Sequence, residues 1–143
     1  MTTIDFYFNA TDRLQVACRL AGKALSQQKR VVVFAPSPEL AQKIDRMLWT
    51  WPAISFVPHC MAEDALAAES PVVIAADGRS APGGDVLLNL AEDCPEFFER
   101  YDRLLEIVST DDADRNSARA RFAWYRDRGY AMRSHDLAAA AAQ

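Results

Sequence analysis

Apolar residues cluster along this chain in short runs, and these runs predict β-strands. Residues 31–35 and 71–75 are almost wholly apolar without alternation, which is typical of strands buried on both faces of a sheet. Residues 86–90 and 103–109 are the next predicted strands along the chain. Residues 130–135 form the last one. A sheet with buried central strands is therefore expected.

Three other segments have different patterns. Residues 54–57 predict a short strand that Pro58 ends, whereas residues 59–70 fit either a short helix or an irregular loop. Residues 3–8 alternate between apolar and polar, which predicts an edge or half-buried strand. Its two faces carry Ile4, Phe6 and Phe8 on one side, and Asp5 and Tyr7 on the other.

Helical periodicity separates these strands. Apolar residues recur at helical spacing in residues 14–28 and again in residues 39–49, where Pro38 suits the first turn. A short helix over residues 95–101 precedes the strand at 103–109. Alternating strands and helices predict a single α/β domain, with a mostly parallel or mixed sheet and helices on both faces.

Length and composition bound the class of protein. With 143 residues, 50% of them hydrophobic and 25% charged, the chain is long enough for one domain with a sizeable core. Only residues 136–143, which are mostly alanine, are expected to fray. No segment has the pattern of a leader or a membrane span, so a cytoplasmic location is expected. Cys18, Cys60 and Cys94 are odd in number and far apart, which predicts free thiols and no metal site.

Positive charge is concentrated in residues 115–133. This stretch holds six arginines and one acid, Asp127, in a chain whose formal net charge is −4. Its own charge of about +5 leaves about −9 on the remainder, so the basic stretch is a local patch and not a reflection of composition. An acidic partner is the natural expectation.

The basic stretch also predicts a helix. Three aspartates favour its N-terminus and Gly129 suits its C-cap. Helical spacing puts Arg115, Arg119, Phe122 and Arg126 on one stripe, with Ala118 and Tyr125 beside it. Arginines that flank an aromatic ring suit a ligand with a carboxylate and an apolar side chain, Arg119 and Arg126 holding the carboxylate. The plainer alternative is a solvated helix face.

Nucleotide chemistry is not indicated. Residues 36–38, which follow the first buried strand, contain no glycine, and residues 78–85 have Gly84 and Asp85 where a phosphate loop needs lysine and a hydroxyl. The expected fold is therefore Rossmann-like without a phosphate-binding loop, and no cofactor is expected. His59 and Cys60 suggest nucleophilic catalysis, with His135 as another base, but a strand-end histidine beside a buried thiol is the simpler interpretation.

Aromatic residues gather in residues 48–59, LWTWPAISFVPH, which contain Trp49, Trp51 and Phe56 together with two prolines. One interpretation is a buried corner of the core. The other is an exposed aromatic patch that serves as a protein interface. A protein with this surface, the separate basic helix and no active site would be an adaptor.

These stretches resemble the chi subunit family of bacterial DNA polymerase III. The shared pieces are the FYF strand at the start, the helix ending in LW before SFVPH, the glycine-rich turn before DVLLNL, and the closing ARxRFxxYRxRGY. The resemblance implies an α/β domain similar to helicase nucleotide-binding domains without their phosphate loop. It also implies a non-catalytic adaptor that joins the psi subunit, and through psi the clamp loader, to the acidic, aromatic-ended tail of single-stranded DNA-binding protein.

The resemblance also implies site residues. The tail pocket falls on Val108, Arg115, Arg119 and Phe122, with Arg126 added as a neighbour. The family can have tyrosine where this chain has Phe122 and lysine where it has Ala123, so one hydroxyl and one positive charge are missing here. The psi-facing surface includes Trp49 and Phe56, which in the family also meet a helicase-like repair protein.

Two functions of other classes stay open on the sequence alone. A direct single-stranded nucleic-acid-binding module would use the basic stretch, although the acidic remainder of the chain disfavours it. A small enzyme would use Cys60 with His59 or His135, and would need a thiol of low pKa.

Overall fold

The computed structural model describes residues 2–50, 59–61, 71–79 and 81–138, except for the side chains at positions 49, 50, 59 and 60. Three α-helices lie among the described residues: α1 (Arg13–Ser26), α2 (Pro38–Thr50) and α3 (Asp112–Asp127). The strands are β1 (Thr3–Ala10), β2 (Val31–Phe34), β3 (His59–Met61), β4 (Val72–Ala75), β5 (Val86–Asn89), β6 (Arg103–Ser109) and β7 (Met132–Asp136). A 3₁₀ turn, Phe98–Arg100, replaces the short helix expected before β6.

The described strands form one seven-stranded sheet in the order β3-β4-β2-β5-β6-β1-β7. Every neighbouring pair in that order is parallel. Parallel strands need crossover connections, which place helices on the faces and bury the strands on both sides. The apolar runs seen in the sequence are the direct result, and the predicted α/β fold is confirmed.

Helices cover both faces of the sheet. On one face, α1 and α2 pack over alternate residues of the central strands, including Val33 and Leu88. On the other face, α3 packs over β6 and β1 through Ala118 and Tyr125, which meet Ile4 and Leu104. The two apolar clusters are separate layers with the sheet between them, as in other doubly wound α/β proteins.

Capping residues in the sequence mark where two of the helices begin or end. Asp12 caps α1 by accepting hydrogen bonds from the N–H groups of Leu14 and Gln15, at 3.1 and 3.2 Å. Gly129 follows α3 with a φ of +81°, in the left-handed region where glycine is strongly preferred. The predicted start and end of this helix are confirmed.

The structure corrects two expectations about β1. The strand was expected at an edge or half-buried, yet it lies between β6 and β7. A half-buried strand would expose its polar face, yet Asp5 on that face is fully buried. Both differences arise because β7 and β6 pair with β1 from segments about a hundred residues away in sequence, which a local pattern does not show.

Two predictions concern residues that are not described. These are the strand expected at residues 54–57 and most of the segment at 59–70, for which a short helix or a loop was expected. At the other end, Asp136 closes β7, and its carboxylate accepts a hydrogen bond from Asn9 at 2.8 Å. Residues 139–143 are not described.

Candidate functional site

A cavity of about 340 Å³ lies between α3 and the sheet edge formed by β1 and β7. Four elements supply its walls, since the first half of α3 faces residues of β1, β6 and β7 across it. Its lining residues are Phe6, Phe8, Asn9, Val108, Arg115, Ala118, Arg119, Phe122 and Ser134. The structure therefore brings together Val108, Arg115, Arg119 and Phe122, four of the five residues expected at this site.

The floor of this cavity, which we call the α3 cavity, is apolar. Phe6 is 4% exposed and Val108 is 6% exposed. The rings of Phe6 and Phe122 meet edge to face, with centroids 5.2 Å apart, and Tyr125 supports Phe6 from below at 6.2 Å. Edge-to-face packing holds these rings in place, so the floor is a preformed surface for a further ring.

The rim of the α3 cavity is positively charged. Arg115 donates a hydrogen bond to the side-chain oxygen of Asn9 at 3.1 Å, and Arg119 donates to that of Asn116 at 3.2 Å. Both acceptors are neutral amides. Within the described part of the chain, neither guanidinium forms an ion pair with an acid. Their charges are thus available to an anionic ligand.

Asn9 owes its position to an unusual backbone conformation. Its φ is +63°, which asparagine tolerates better than most residues, and the pairing of β1 with β6 shifts register between Tyr7 and Ala10. The shift turns the Asn9 side chain toward Arg115 and Asp136, so that its amide oxygen accepts from the arginine and its nitrogen donates to the aspartate. Asn9 therefore orients Arg115 without neutralising it.

The structure does not bring Arg126 into the cavity lining. Its side chain is 62% exposed and pairs with the neighbouring Asp127 at 3.3 Å, a turn and more beyond Phe122. Eleven residues are close to three helical turns, so Arg126 stays on the stripe that begins at Arg115, but it lies about 16 Å further along the axis of α3, beyond the residues that line the cavity. An exposed pair of this kind contributes little to stability.

Three further arginines of the basic stretch have internal partners. Arg128 lies over the Trp124 ring at 3.7 Å, and Arg133 pairs with Asp5 at 2.9 Å. Arg121 is buried, and its Nε donates to Glu106 at 3.2 Å. The exposed basic patch is consequently smaller than the count of arginines predicted.

Glu106 is the centre of a buried polar network beneath α3. Its carboxylate accepts from Asn89 at 3.0 and 3.1 Å, from the Tyr125 hydroxyl at 2.9 Å, and from Arg121. Burial raises the pKa of Glu106, while the charge of Arg121 and the hydrogen bonds oppose that rise. Arg121 also donates to the carbonyl of Glu92 at 2.7 Å. The network anchors the helix that carries the cavity rim.

Sequence reasoning missed the strand residues of the α3 cavity: Phe6, Phe8, Asn9 and Ser134. One signal was present, since the alternation in β1 had placed Phe6 and Phe8 on a common face. That this face meets α3 depends on the sheet order, which no local signal contains.

The aromatic segment is described only in part. Trp49 lies in the last turn of α2, and its side chain is not described; Trp51 and Phe56 lie outside the described residues. The backbone nevertheless places Trp49 on the sheet face opposite to α3, since α2 packs with α1. Helices α2 and α3 therefore lie on opposite faces of the sheet.

The order of the strands argues against an enzyme that uses Cys60 with His135. Cys60 lies on β3 and His135 on β7, which are the two ends of the sheet. With neighbouring strands about 4.8 Å apart, these ends are separated by about 29 Å, so His135 does not reach Cys60. Burial also raises the pKa of the Cys18 thiol to about 11, and it raises the pKa of the Cys94 thiol, which disfavours a reactive thiolate at either position.

Two further features bear on the class of site. Among residues 2–50, 59–61, 71–79 and 81–138, no three metal-binding side chains are grouped to hold an ion. Over the same ranges, no helix combines the length and apolar character needed to cross a bilayer.

The fold and the site define a class of protein. It is a Rossmann-like α/β protein without a phosphate-binding loop, with an apolar, basic-rimmed cavity at one edge of its sheet. A family model described as DNA polymerase III chi subunit, HolC, matches residues 1–133. The chain belongs to this family of replication accessory subunits.

Individual relatives agree with the family match. The chain is 37% identical to the DNA polymerase III subunit chi of Pseudomonas aeruginosa, over 96% of this chain and 98% of that protein. It is 31% identical to the Escherichia coli subunit, over 81% and 80%, and 29% identical to the Haemophilus influenzae subunit, over 86% of each. The similarity thus extends through nearly the whole described fold.

Proposed function

We propose that this chain is a non-catalytic, cytoplasmic adaptor in DNA replication. It binds the C-terminal tail of single-stranded DNA-binding protein in the α3 cavity, and it binds the psi subunit, and through psi the clamp loader, on a second surface. The observation that carries the proposal is the pairing of an aromatic floor with two arginines that have no acidic partner among the described residues.

The chemistry of the cavity suits an acidic peptide that ends in an aromatic residue. Its terminal ring packs against Phe6 and Phe122, and its carboxylate lies between Arg115 and Arg119. Charge-assisted contacts at partly exposed sites contribute about 1 kcal/mol each, and micromolar affinity requires about 8 kcal/mol, so burial of the ring supplies much of the rest. Weak binding is sufficient where many tails are displayed together on coated DNA.

Direct binding to nucleic acid is less well supported by the same structure. Arg121 is buried and Arg133 is paired with Asp5, which removes two of the six arginines that a backbone-binding patch would use. The remaining chain is acidic and would repel phosphates.

The psi surface is proposed at the end of α2, through Trp49 and the nearby Phe56. A helicase-like repair protein would compete for this surface. The position of α2 on the face opposite to α3 favours simultaneous binding of both partners, which an adaptor requires.

Fluorescence anisotropy with a labelled acidic peptide ending in phenylalanine tests the tail site. Wild type is expected to bind in the micromolar range, more weakly as salt rises, and Arg119→Ala is expected to weaken binding about tenfold. Arg126→Ala is the matched control, because it removes the same charge from the same helix outside the cavity. If the two variants lose affinity equally, or if wild type binds only bare single-stranded DNA, the proposed site is wrong.

A further inference from the structure

Among the described strands, β7 is an edge of the sheet, and the described residues leave its outer backbone accessible. It follows β1 as the last strand in the sheet order. Ile4 is paired with Met132, and the Ile4 N–H donates to the carbonyl of Ala131 at 2.9 Å. A residue in a parallel pair bonds to the two residues that flank its partner, so Ala131 and Arg133 face β1. Met132 and Ser134 therefore direct their N–H and C=O groups away from the sheet.

The usual protections of an edge strand are weak here. Natural edges are blocked by proline, by bulges or by charged side chains that project across them. Residues 132–136, MRSHD, contain no proline. Arg133 and His135 are drawn back onto the sheet by Asp5, with both contacts at 2.9 Å. An extended backbone can therefore approach Ser134, which is exposed.

The same residue joins this edge to the α3 cavity. Ser134 lines the cavity, while its backbone groups lie on the open side of β7. A peptide whose last residue occupies the cavity therefore passes the β7 edge as it leaves. The other edge strand, β3, has no such connection, since it lies at the opposite end of the sheet.

Charge also favours an acidic strand at this edge. Side chains of an added strand would alternate between the two sheet faces. On the α3 face they meet the two arginines of the cavity rim and one carboxylate, Asp136, which accepts a hydrogen bond from Asn9. On the other face they meet the cluster around Asp5, where Arg103 and Arg133 outnumber the single carboxylate, and the Arg133 side chain is 55% exposed.

We propose that β7 is a docking edge for an acidic peptide, whose residues upstream of the cavity add to the sheet as an eighth strand. Pairing is through the N–H and C=O groups of Met132 and Ser134. The inference rests on the proposed tail-binding function and deepens it, because it assigns a binding mode to the part of the tail outside the cavity. Strand addition of this kind obtains affinity from backbone hydrogen bonds and requires no particular upstream sequence.

Two labelled peptides test this inference by anisotropy. One contains only the terminal phenylalanine, with its free carboxylate, and the residue before it; the other extends upstream with acidic residues. The long peptide is expected to bind more tightly, and Met132→Pro, which removes one outward N–H at a residue outside the cavity lining, is expected to weaken the long peptide alone by about two- to tenfold. Met132→Ala is the matched control, because it shortens the side chain and keeps the N–H.

A second measurement does not depend on the folding of the proline variant. Amide hydrogen exchange of wild type should show the N–H groups of Met132 and Ser134 protected by the long peptide and not by the short one. If both peptides protect these amides equally, or if Met132→Pro and Met132→Ala bind the long peptide alike, strand addition is refuted while the tail site stands. If neither peptide binds, both the proposed function and this inference are refuted.

Discussion

Asp5 is a buried carboxylate in β1, held by three basic side chains. Arg103 donates to it at 2.9 and 3.1 Å, while Arg133 and His135 contact its other oxygen at 2.9 Å. Burial raises the pKa of Asp5. The hydrogen bonds from His135 and Arg103 and the charges of both arginines lower this pKa by more than burial raises it, so it lies below its ordinary value. The cluster joins β6, β1 and β7 side by side.

This lowered pKa predicts a specific pH dependence of stability. Since the folded pKa of Asp5 is below the unfolded value, its contribution is complete above about pH 4 and is lost as the pH falls through the folded pKa. Asp5→Asn is therefore expected to lower the free energy of unfolding by about 2 kcal/mol at about pH 7, with a smaller difference below about pH 4. Urea unfolding across that range measures it.

Asp102→Asn provides the control for this prediction. Asp102 is exposed and precedes Arg103 on β6, so its removal should change stability by less than about 0.5 kcal/mol. A pH-independent loss in Asp5→Asn would show that packing, and not the carboxylate charge, accounts for its effect.

At the scale of elements, α3 is attached to the sheet by both apolar and polar contacts. Ala118 and Tyr125 pack against the strands, and Arg121 lies between them along the same stripe, paired with Glu106. Removing one member of a buried pair leaves the other charge without compensation, which is more destabilising than removing both. The attachment of α3 should therefore depend on the pair as a unit.

A double-mutant cycle tests this attachment. Arg121→Met is expected to lower the free energy of unfolding by about 3 kcal/mol at about pH 7, because Glu106 is left buried and charged. Burial already raises the pKa of Glu106, and loss of Arg121 raises it more, so the deficit should shrink as the pH falls toward about 5. Adding Glu106→Gln should recover a large part of the loss, measured by urea unfolding.

The control for the cycle is Arg126→Met on the same helix. Its side chain is exposed and pairs only with exposed Asp127 among the described residues, so the expected change is within about 0.5 kcal/mol. If Arg121→Met and Arg126→Met are equally stable, α3 is attached by its apolar contacts alone.

At the scale of the whole molecule, the sheet separates the two proposed binding surfaces. The α3 cavity lies on one face near β1 and β7, while α2 lies on the other face. Ligands on opposite faces do not compete for space. The fold is therefore suited to hold two partners at once without a conformational change.

A bridging experiment tests this arrangement. Resin carrying the acidic tail peptide is expected to retain purified psi only when this chain is added. Trp49→Ala should lose binding to psi and keep binding to the peptide, because truncating an aromatic residue at the centre of an interface commonly costs more than about 2 kcal/mol of binding energy. Arg119→Ala should show the reverse. Gln42→Ala, an exposed position on α2, is the control; full psi retention by Trp49→Ala would remove this residue from the proposed surface.

Part of the candidate site could be predicted because it lies within one helix. Arg115, Arg119 and Phe122 are neighbours through helical spacing, and Val108 is added by the family resemblance. The sequence also contains a signal for the burial of Arg121. It lies between Ala118 and Tyr125 at helical spacing, and Glu106 interrupts an apolar strand, which together indicate a buried pair.

The sequence by itself determined the strands, the helices and their ends, because apolar runs, helical periodicity and capping residues act between near neighbours. Only the tertiary structure decided that β6, β1 and β7 lie side by side. That order brings Phe6, Asn9 and Ser134 to α3, pairs Asp5 with Arg133, and leaves Arg115 and Arg119 without an acidic partner in the described part of the chain. Contacts between residues about a hundred positions apart depend on the complete packing of the sheet, and local sequence does not encode them.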